Sequence, residues 1–439
     1  YSKINSYLMN IKSKFRLKQI FDNLIQNKIL NLIRYNKIIQ SRLNINIGDY
    51  KKNSNIEIEI NMKYNGHYNK SIMGYEKKYI NLPKFNHHIH IYFNDNKKEY
   101  ILESDFIKTI RIIIDNEIKS LKDLFKDCKL IKRISFIRFN IKHIIDMSGL
   151  FYNCSALEYL DLSKMKTNNV IDMNCMFKGC SSLKELNLTN FNTNNVTNMK
   201  EILCECKSLK ELDLSNFNTD NVSNMSFMFK NCLSLIKLNL SNLNNKNVIN
   251  MESMFESCES LEELNLHNFN TNNVTNMDSM FYRCESLIQL NLLNYITNKV
   301  TNMNEMFYGC KSLKQLNIAS FNTDNVSNMN KMFCNCSSLV ELNLSNFNTN
   351  NVTYMSGMFY GCSSLKELNL SSFNTNNLSD IHEMFKECSS LKELNLSNFN
   401  NKNVINMSDM FYKCSSLETL DLINFFTNNV EKKFIIKSR

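Results

Sequence analysis

The sequence predicts an α/β solenoid, one short unit stacked on itself many times. Three observations carry this. First, Cys128, Cys154, Cys180, Cys206, Cys232, Cys258, Cys284, Cys310, Cys336, Cys362, Cys388 and Cys414 stand in one register with a constant 26-residue step. Second, one phrase returns around each: Met-Phe-x-x-Cys-x-Ser-Leu-x-x-Leu-Asn-Leu-Ser-Asn-Phe-Asn-Thr-Asn-Asn-Val-Thr-Asn-Met. Third, the hydrophobic period changes inside that phrase, from two in its Leu-x-Leu part to three and four in its Met-Phe part. A fixed period of this length marks an array whose units bury their apolar sides against one another.

One unit can be taken in order. Leu186 and Leu188 alternate with polar residues in Leu183-Lys184-Glu185-Leu186-Asn187-Leu188, so this is a short strand with its leucines inward. Repetition lays these strands side by side as a parallel sheet on one face. Phe191 fills the interior, and Asn192-Thr193-Asn194-Asn195 is a turn of residues that bond their own backbone. Val196 returns to the core and Thr197 or Asn198 can cap a helix. Met199, Ile202, Leu203 and Cys206 follow at helical spacing, which predicts short helices on the other face.

Before the array, the chain divides by period. Residues 1–48 read as helical, with Phe15, Leu17, Ile20, Phe21, Leu24 and Ile25 at three- and four-residue spacing up to Gly48. Residues 49–105 form a small β-rich module: Ile56, Ile58 and Ile60 alternate, and Asn94-Asp95-Asn96-Lys97 is a hairpin turn between His90–Phe93 and Tyr100–Leu102. Together these make a small α+β N-terminal extension. The solenoid spans 106–430, led in by Ile110, Ile112 and Ile114. Ile118, Leu121, Leu124 and Phe125 then take the later Val, Met, Met and Phe columns. Residues 431–439 are a basic tail.

Composition bounds the function. No run is long and apolar enough to cross a membrane. The formal charge of +10 lies entirely before the array: residues 1–127 hold 23 Lys and Arg against 13 Asp and Glu, and the remainder holds 29 of each. The basic residues are scattered rather than clustered, which argues against a nucleic-acid partner. The chain begins at Tyr1 rather than Met, which leaves export open.

The Leu-x-x-Leu-x-Leu-x-x-Phe pattern with its Met-Phe-x-x-Cys return resembles the BspA-like leucine-rich repeats, a bacterial surface-protein type of 26 residues, over 110–430. The resemblance implies a leucine-rich-repeat solenoid used for protein binding, and bacterial members of that kind are commonly adhesins. Separately, Leu17–Leu24 with Leu30, Leu32, Ile33 and Lys37 resembles an F-box, a helical motif that docks onto ubiquitin-ligase scaffolds, although the usual leading Leu-Pro is absent. That resemblance would place a ligase scaffold at residues 15–40.

Candidate chemistry is sparse. The twelve cysteines of the repeat read as a ladder of buried free thiols, which favours a reducing, cytoplasmic setting; a cell surface is the alternative if an export signal is missing. Asn187-Leu188-Thr189, Asn239-Leu240-Ser241, Asn343-Leu344-Ser345, Asn369-Leu370-Ser371 and Asn395-Leu396-Ser397 would carry glycans on the strands in a eukaryotic secretory route, which agrees. Of His87, His88 and His90 only His88 and His90 share a strand face, and these two lack a third clustered ligand, so no metal is expected, and neither is a cofactor. No nucleophile, base and acid converge, so the chain is not expected to be an enzyme.

The open face of the sheet stands out instead. Five residues past each cysteine it reads Glu185, Glu211, Lys237, Glu263, Gln289, Gln315, Glu341, Glu367 and Glu393. Seven past, it is Asn or Asp in every unit from Asp161 to Asp421, including Asn187, Asp213, Asn265, Asn291 and Asn343. The polar, mildly acidic concave strip suits a protein or peptide partner of a monomeric, non-catalytic scaffold. One unit departs from consensus, with Leu293 for Ser, Tyr295 for Phe and Ile296 for Asn, and predicts a hot spot at Arg283, Leu293 and Ile296.

Overall fold

The computed structural model of the chain describes Ser41 and residues 55–61, 89–93, 96–97, 109–115, 118–400 and 402–422. Ser41 apart, the segment expected to be helical, the F-box-like run and the basic tail lie outside the described residues.

The alternating isoleucines form strands as their period demands. β1 (Ile56–Asn61), β2 (Ile89–Phe93), β3 (Asn96–Lys97) and β4 (Thr109–Ile114) precede β5 (Arg133–Phe139), the strand of the first degenerate unit. The sheet order is β3-β2-β4-β1-β5-β6, with β6 at Tyr159–Asp161. β1 lies antiparallel between β4 and β5, while β5 and β6 run parallel. This corrects the expected α+β extension. The early strands continue the sheet of the array, and β1 pairs along an edge that the first coil would otherwise expose. Ile56, Ile58, Ile60, Ile110, Ile112 and Ile114 are all fully buried. Glu57 on the opposite face sits 3.7 Å from an Arg111 nitrogen and 3.5 Å from one of Arg138, linking β1 to both neighbours.

From Leu121 each 26-residue unit is one coil. The columns read from sequence are inward: Val196, Met199, Ile202, Leu203, Cys206, Leu209, Leu212, Leu214 and Phe217 are buried, and their equivalents repeat along the chain. Phenylalanine rings of successive coils stack, with centroids 5.6 Å apart for Phe281 and Phe307 and again for Phe307 and Phe333. Such spacing is normal for aromatic pairs.

The described residues of the array contain no α-helix, which overturns the expected short helices. Each coil makes two tight turns there instead. In the coil of Cys180 the amides of Met173, Cys175, Phe177 and Gly179 donate to Asn198, Lys200, Ile202 and Cys204 of the next coil at 2.8–3.2 Å. The amides between them, on Met176, Lys178 and Cys180, fold back three residues at 3.1–3.2 Å. Cys175 (φ 55°) and Gly179 (φ 76°) are the third residues of the turns 173–176 and 177–180, the positive-φ place of a type II turn. The reason is spacing. A helix is roughly 10 Å wide, whereas coils joined by backbone hydrogen bonds stand about 4.8 Å apart. Buried positions at 0, 3, 4 and 7 serve a helix and two consecutive turns equally.

This turn side is bonded without a break. Parallel bridges run from Ser120 to Asp146 and onward through every coil to Asn406. Beside them each amide 17 residues past the cysteine donates to its equivalent, as Thr301 does to Thr275 at 2.9 Å and Ser327 to Thr301 at 3.0 Å. The expected parallel sheet opposite is present in pieces. β7 (Glu211–Asp213) pairs β8 (Lys237–Asn239), β9 (Gln289–Asn291) pairs β10 (Gln315–Asn317), and β11 (Glu393–Asn395) pairs β12 (Thr419–Asp421). Residues 185–187, 341–343 and 367–369 form no strand. Among the described residues no helical layer lies opposite these strands, and the face expected to be concave is the face of these strands, the strand face.

Candidate binding face

Inside the array the cysteines are structural. All fifteen thiols are free. From Cys154 on, each ladder thiol donates to the carbonyl of the residue three before the previous cysteine: Cys310 Sγ to Phe281 O at 3.2 Å, Cys336 to Phe307 at 3.1 Å, Cys362 to Phe333 at 3.1 Å. The same Phe281 carbonyl accepts the Cys284 amide at 3.1 Å. A small side chain with one weak donor fits this place. Burial pushes the Cys180 and Cys310 thiols up to about 12, so they are neither nucleophiles nor ligands near neutral pH.

The asparagines are structural as well. Seven residues past the cysteine, the side-chain oxygen accepts the amide two residues on, as Asn187 does from Thr189 at 3.0 Å and Asn291 from Leu293 at 3.1 Å. Fifteen past, the side-chain amide crosses to the preceding coil, as Asn325 does to Asn298 O at 2.6 Å. Threonines 13 past the cysteine do both: Thr323 Oγ1 donates to Asn348 O at 2.8 Å and accepts the Asn348 amide at 2.8 Å. Asparagine richness is thus the polar glue of the coils.

The strand face holds the remaining chemistry. Glu185, Asn187, Glu211, Asp213, Glu263, Asn265, Gln289, Asn291, Gln315, Glu341, Asn343, Glu367 and Glu393 are all exposed on it. Two open depressions lie there. One, of about 550 Å³, is lined by Lys132, Arg133, Tyr159, Asp161, Lys184, Glu185 and Asn187 among others. The second, of about 700 Å³, brings together Gln289, Asn291, Gln315, Glu341, Asn343 and Glu367 over Leu290, Leu316 and Leu342. Both depressions fall where the ladder lapses, at 185–187 and at 341–343 with 367–369.

The expected hot spot is divided. Leu293 and Ile296 are about half exposed, at 50% and 46%. Arg283 sits before the strand, at the left-handed place of its turn (φ 54°), and its guanidinium engages Glu285 at 3.1 Å and Glu259 at 3.5 Å. Gln289–Asn291 lies between it and the apolar pair. The depression itself was missed from sequence, because the repeat gives no sign of which strand pairs lapse.

His90 meets Asp115 at 3.3 Å, whereas His87 and His88 lie outside the described residues. Among the described residues no three His, Cys, Asp or Glu side chains could hold a metal ion. No helix among them is long and apolar enough to cross a membrane.

The sequence matches the family described as "Mycoplasma protein of unknown function, DUF285" over residues 119–237, 205–315, 287–392 and 335–435. The chain belongs to this family. No curated protein matches it. Among solved structures it is similar to a TLR13–ssRNA13 complex (19% identity, 70% of this chain and 39% of that one, TM-score 0.27). Two others are the Drosophila Toll–Spatzle complex (14%, 68% and 45%, TM-score 0.24) and the functional domain of InlJ from Listeria monocytogenes, which includes a cysteine ladder (11%, 64% and 69%, TM-score 0.17). The chain spans less than half the length of the first two. Overlaps this loose carry no argument, so the solenoid of this DUF285 chain stands on its own hydrogen bonds.

Proposed function

We propose that this DUF285 protein is a non-catalytic scaffold that binds a protein or peptide on its strand face. The observation that carries the reading is the pair of depressions lined by exposed carboxylates and amides at the lapses of the ladder. Most asparagines and threonines of a coil hold turns or join coils, whereas among the described residues no ion pair holds Glu185, Glu341 or Glu367 of these depressions. The BspA-like pattern in the sequence agrees with such a role. Fifteen free thiols, most of them buried, support a reducing compartment for the folded chain.

The test is capture of partners by the full chain, against two charge-reversed variants. One carries Glu185→Lys, Glu341→Lys and Glu367→Lys on the strand face, and the other Glu252→Lys, Glu383→Lys and Glu387→Lys on the turn side. The reading expects partners retained by the second and lost by the first. Loss from the turn-side variant alone would sink it.

A further inference from the structure

We infer that the depression across Gln289, Gln315, Glu341 and Glu367 receives a lysine or arginine side chain presented by a protein partner, an inference that rests on the strand-face reading above. Its floor is aliphatic, formed by Leu290, Leu316 and Leu342. Leu316 is only partly buried, whereas Leu394 of the same column, outside the depression, is 2% exposed. Its rim is anionic. Glu341 and Glu367 stand in one column on successive coils, and among the described residues no ion pair holds either. Glu211, by contrast, is held by Lys237 at 3.1 Å. The asparagine oxygens of the rim are already engaged, Asn317 by the Ala319 amide at 3.3 Å, Asn343 by Ser345 at 3.0 Å and Asn369 by Ser371 at 3.0 Å. The side-chain acceptors left are therefore the two carboxylates and the oxygens of Gln289 and Gln315.

A greasy floor under a carboxylate rim matches a side chain with a methylene stem and a cationic head. An acidic side chain would meet Glu341 and Glu367 as like charges. A purely apolar one would cover both carboxylates and leave them without partners, which is costly. Lys314 is the one cation of the lining and opposes an incoming one, but two carboxylates outnumber it. Partner recognition here is thus by stem burial with charge-assisted hydrogen bonds, and Gln289 and Gln315 supply neutral acceptors where a continued acidic column would repel itself.

The experiment uses the full chain and three fluorescein-labelled peptides, Gly-Lys-Val-Lys-Val-Lys-Gly, the same peptide with Glu for Lys, and the same with Ala for Lys. Binding is read by fluorescence anisotropy. The lysine peptide should bind at least about tenfold more tightly than the other two, the size expected of one or two charge-assisted contacts. Glu341→Gln with Glu367→Gln should remove that preference, Lys314→Ala should strengthen it, and Glu252→Gln, on the turn side, should leave it unchanged. The inference is overturned if the acidic peptide binds as well, or if the Glu341→Gln, Glu367→Gln chain keeps full affinity for the lysine peptide. The strand-face reading fails separately, through the capture experiment with reversed charges.

Discussion

The two sides of each coil are built from the same chain at the same pitch, yet they are held very differently. On the turn side every second amide crosses to the next coil, and the bridge column is continuous from Ser120 to Asn406. On the strand side pairing beyond β6 comes in three strand pairs and one bridge from Glu263 to Gln289, with no strand at 185–187, 341–343 and 367–369. Coil-to-coil bonding therefore resides mainly in the turns, which frees the strands to vary. That inverts the expectation for a leucine-rich repeat read from its leucines.

The sharpest way to break this contrast is to delete one backbone amide on each side. Thr301→Pro removes the amide that donates to Thr275 O at 2.9 Å in the unbroken ladder. It should cost about 3 kcal/mol or more. Glu341→Pro falls where no strand forms and should cost clearly less. Urea unfolding of both variants measures the difference. Equal losses would mean that the strand side bonds the coils as firmly as the turn side.

A second and more distributed effect comes from the thiols that line the interior between the two sides. Burial raises the Cys180 and Cys310 thiols from the usual 9 to about 12. Unfolded thiols ionise first as pH rises, so between about 9 and 12 the native state holds more protons than the unfolded one. Stability is then full below 9 and falls above it, by about 1.4 kcal/mol per pH unit for each such thiol. Thermal melting between pH 7.5 and 10.5 should show a steep alkaline loss, reduced in slope by Cys310→Ala. A flat profile to pH 10.5 would contradict the ladder.

Much of this was legible in sequence, and the limits are instructive. The cysteine register fixed every inward column, because stacking requires one buried set per coil. Ile56, Ile58 and Ile60 announced their strand by period alone. Insertion of that strand between β4 and β5 was not legible, since nothing local marks a partner so distant in sequence. The helices were misread because 0, 3, 4, 7 is ambiguous. One signal could have resolved it. All five glycines of the array, Gly149, Gly179, Gly309, Gly357 and Gly361, stand one or five residues before the cysteine, joined there by Asn153, Asn231, Asn335, Asp123 and Asp127. A helix avoids Gly and Asn four apart, whereas paired turns demand them. Of the candidate site, the exposed columns were legible and the depressions were not.

Tyr295 tests the interior between the sides at a smaller scale. It replaces the usual phenylalanine, stacks on Phe321 at 6.5 Å, and its hydroxyl is buried with no hydrogen-bond partner. An orphaned polar group of this kind costs roughly 1–3 kcal/mol. Tyr295→Phe should therefore raise stability by about 1–2 kcal/mol on the same scale, read as a higher urea midpoint with unchanged slope. A loss instead would show that the hydroxyl is satisfied in solution.

The smallest effect should change sign between the two sides. Ser253 holds φ 51° at a turn position, with its amide donating to Asp278 O at 2.8 Å. A residue with Cβ pays roughly 1–2 kcal/mol in that conformation, while glycine pays about 0.5–1 kcal/mol more entropy on folding. Ser253→Gly should then be stabilising by about 0.5 kcal/mol. Ser345, on the strand side, has no such φ, so Ser345→Gly should lose a similar amount. The reverse exchange is harsher. A Cβ at Gly361 (φ 73°) would lie 3.4 Å from Asn335 Cα and only 2.2 Å from its Oδ1, so Gly361→Ala strains the turn and displaces the neighbouring coil's side chain as well. If Ser253→Gly and Ser345→Gly moved stability in the same direction, the left-handed columns would not be what distinguishes the turn side.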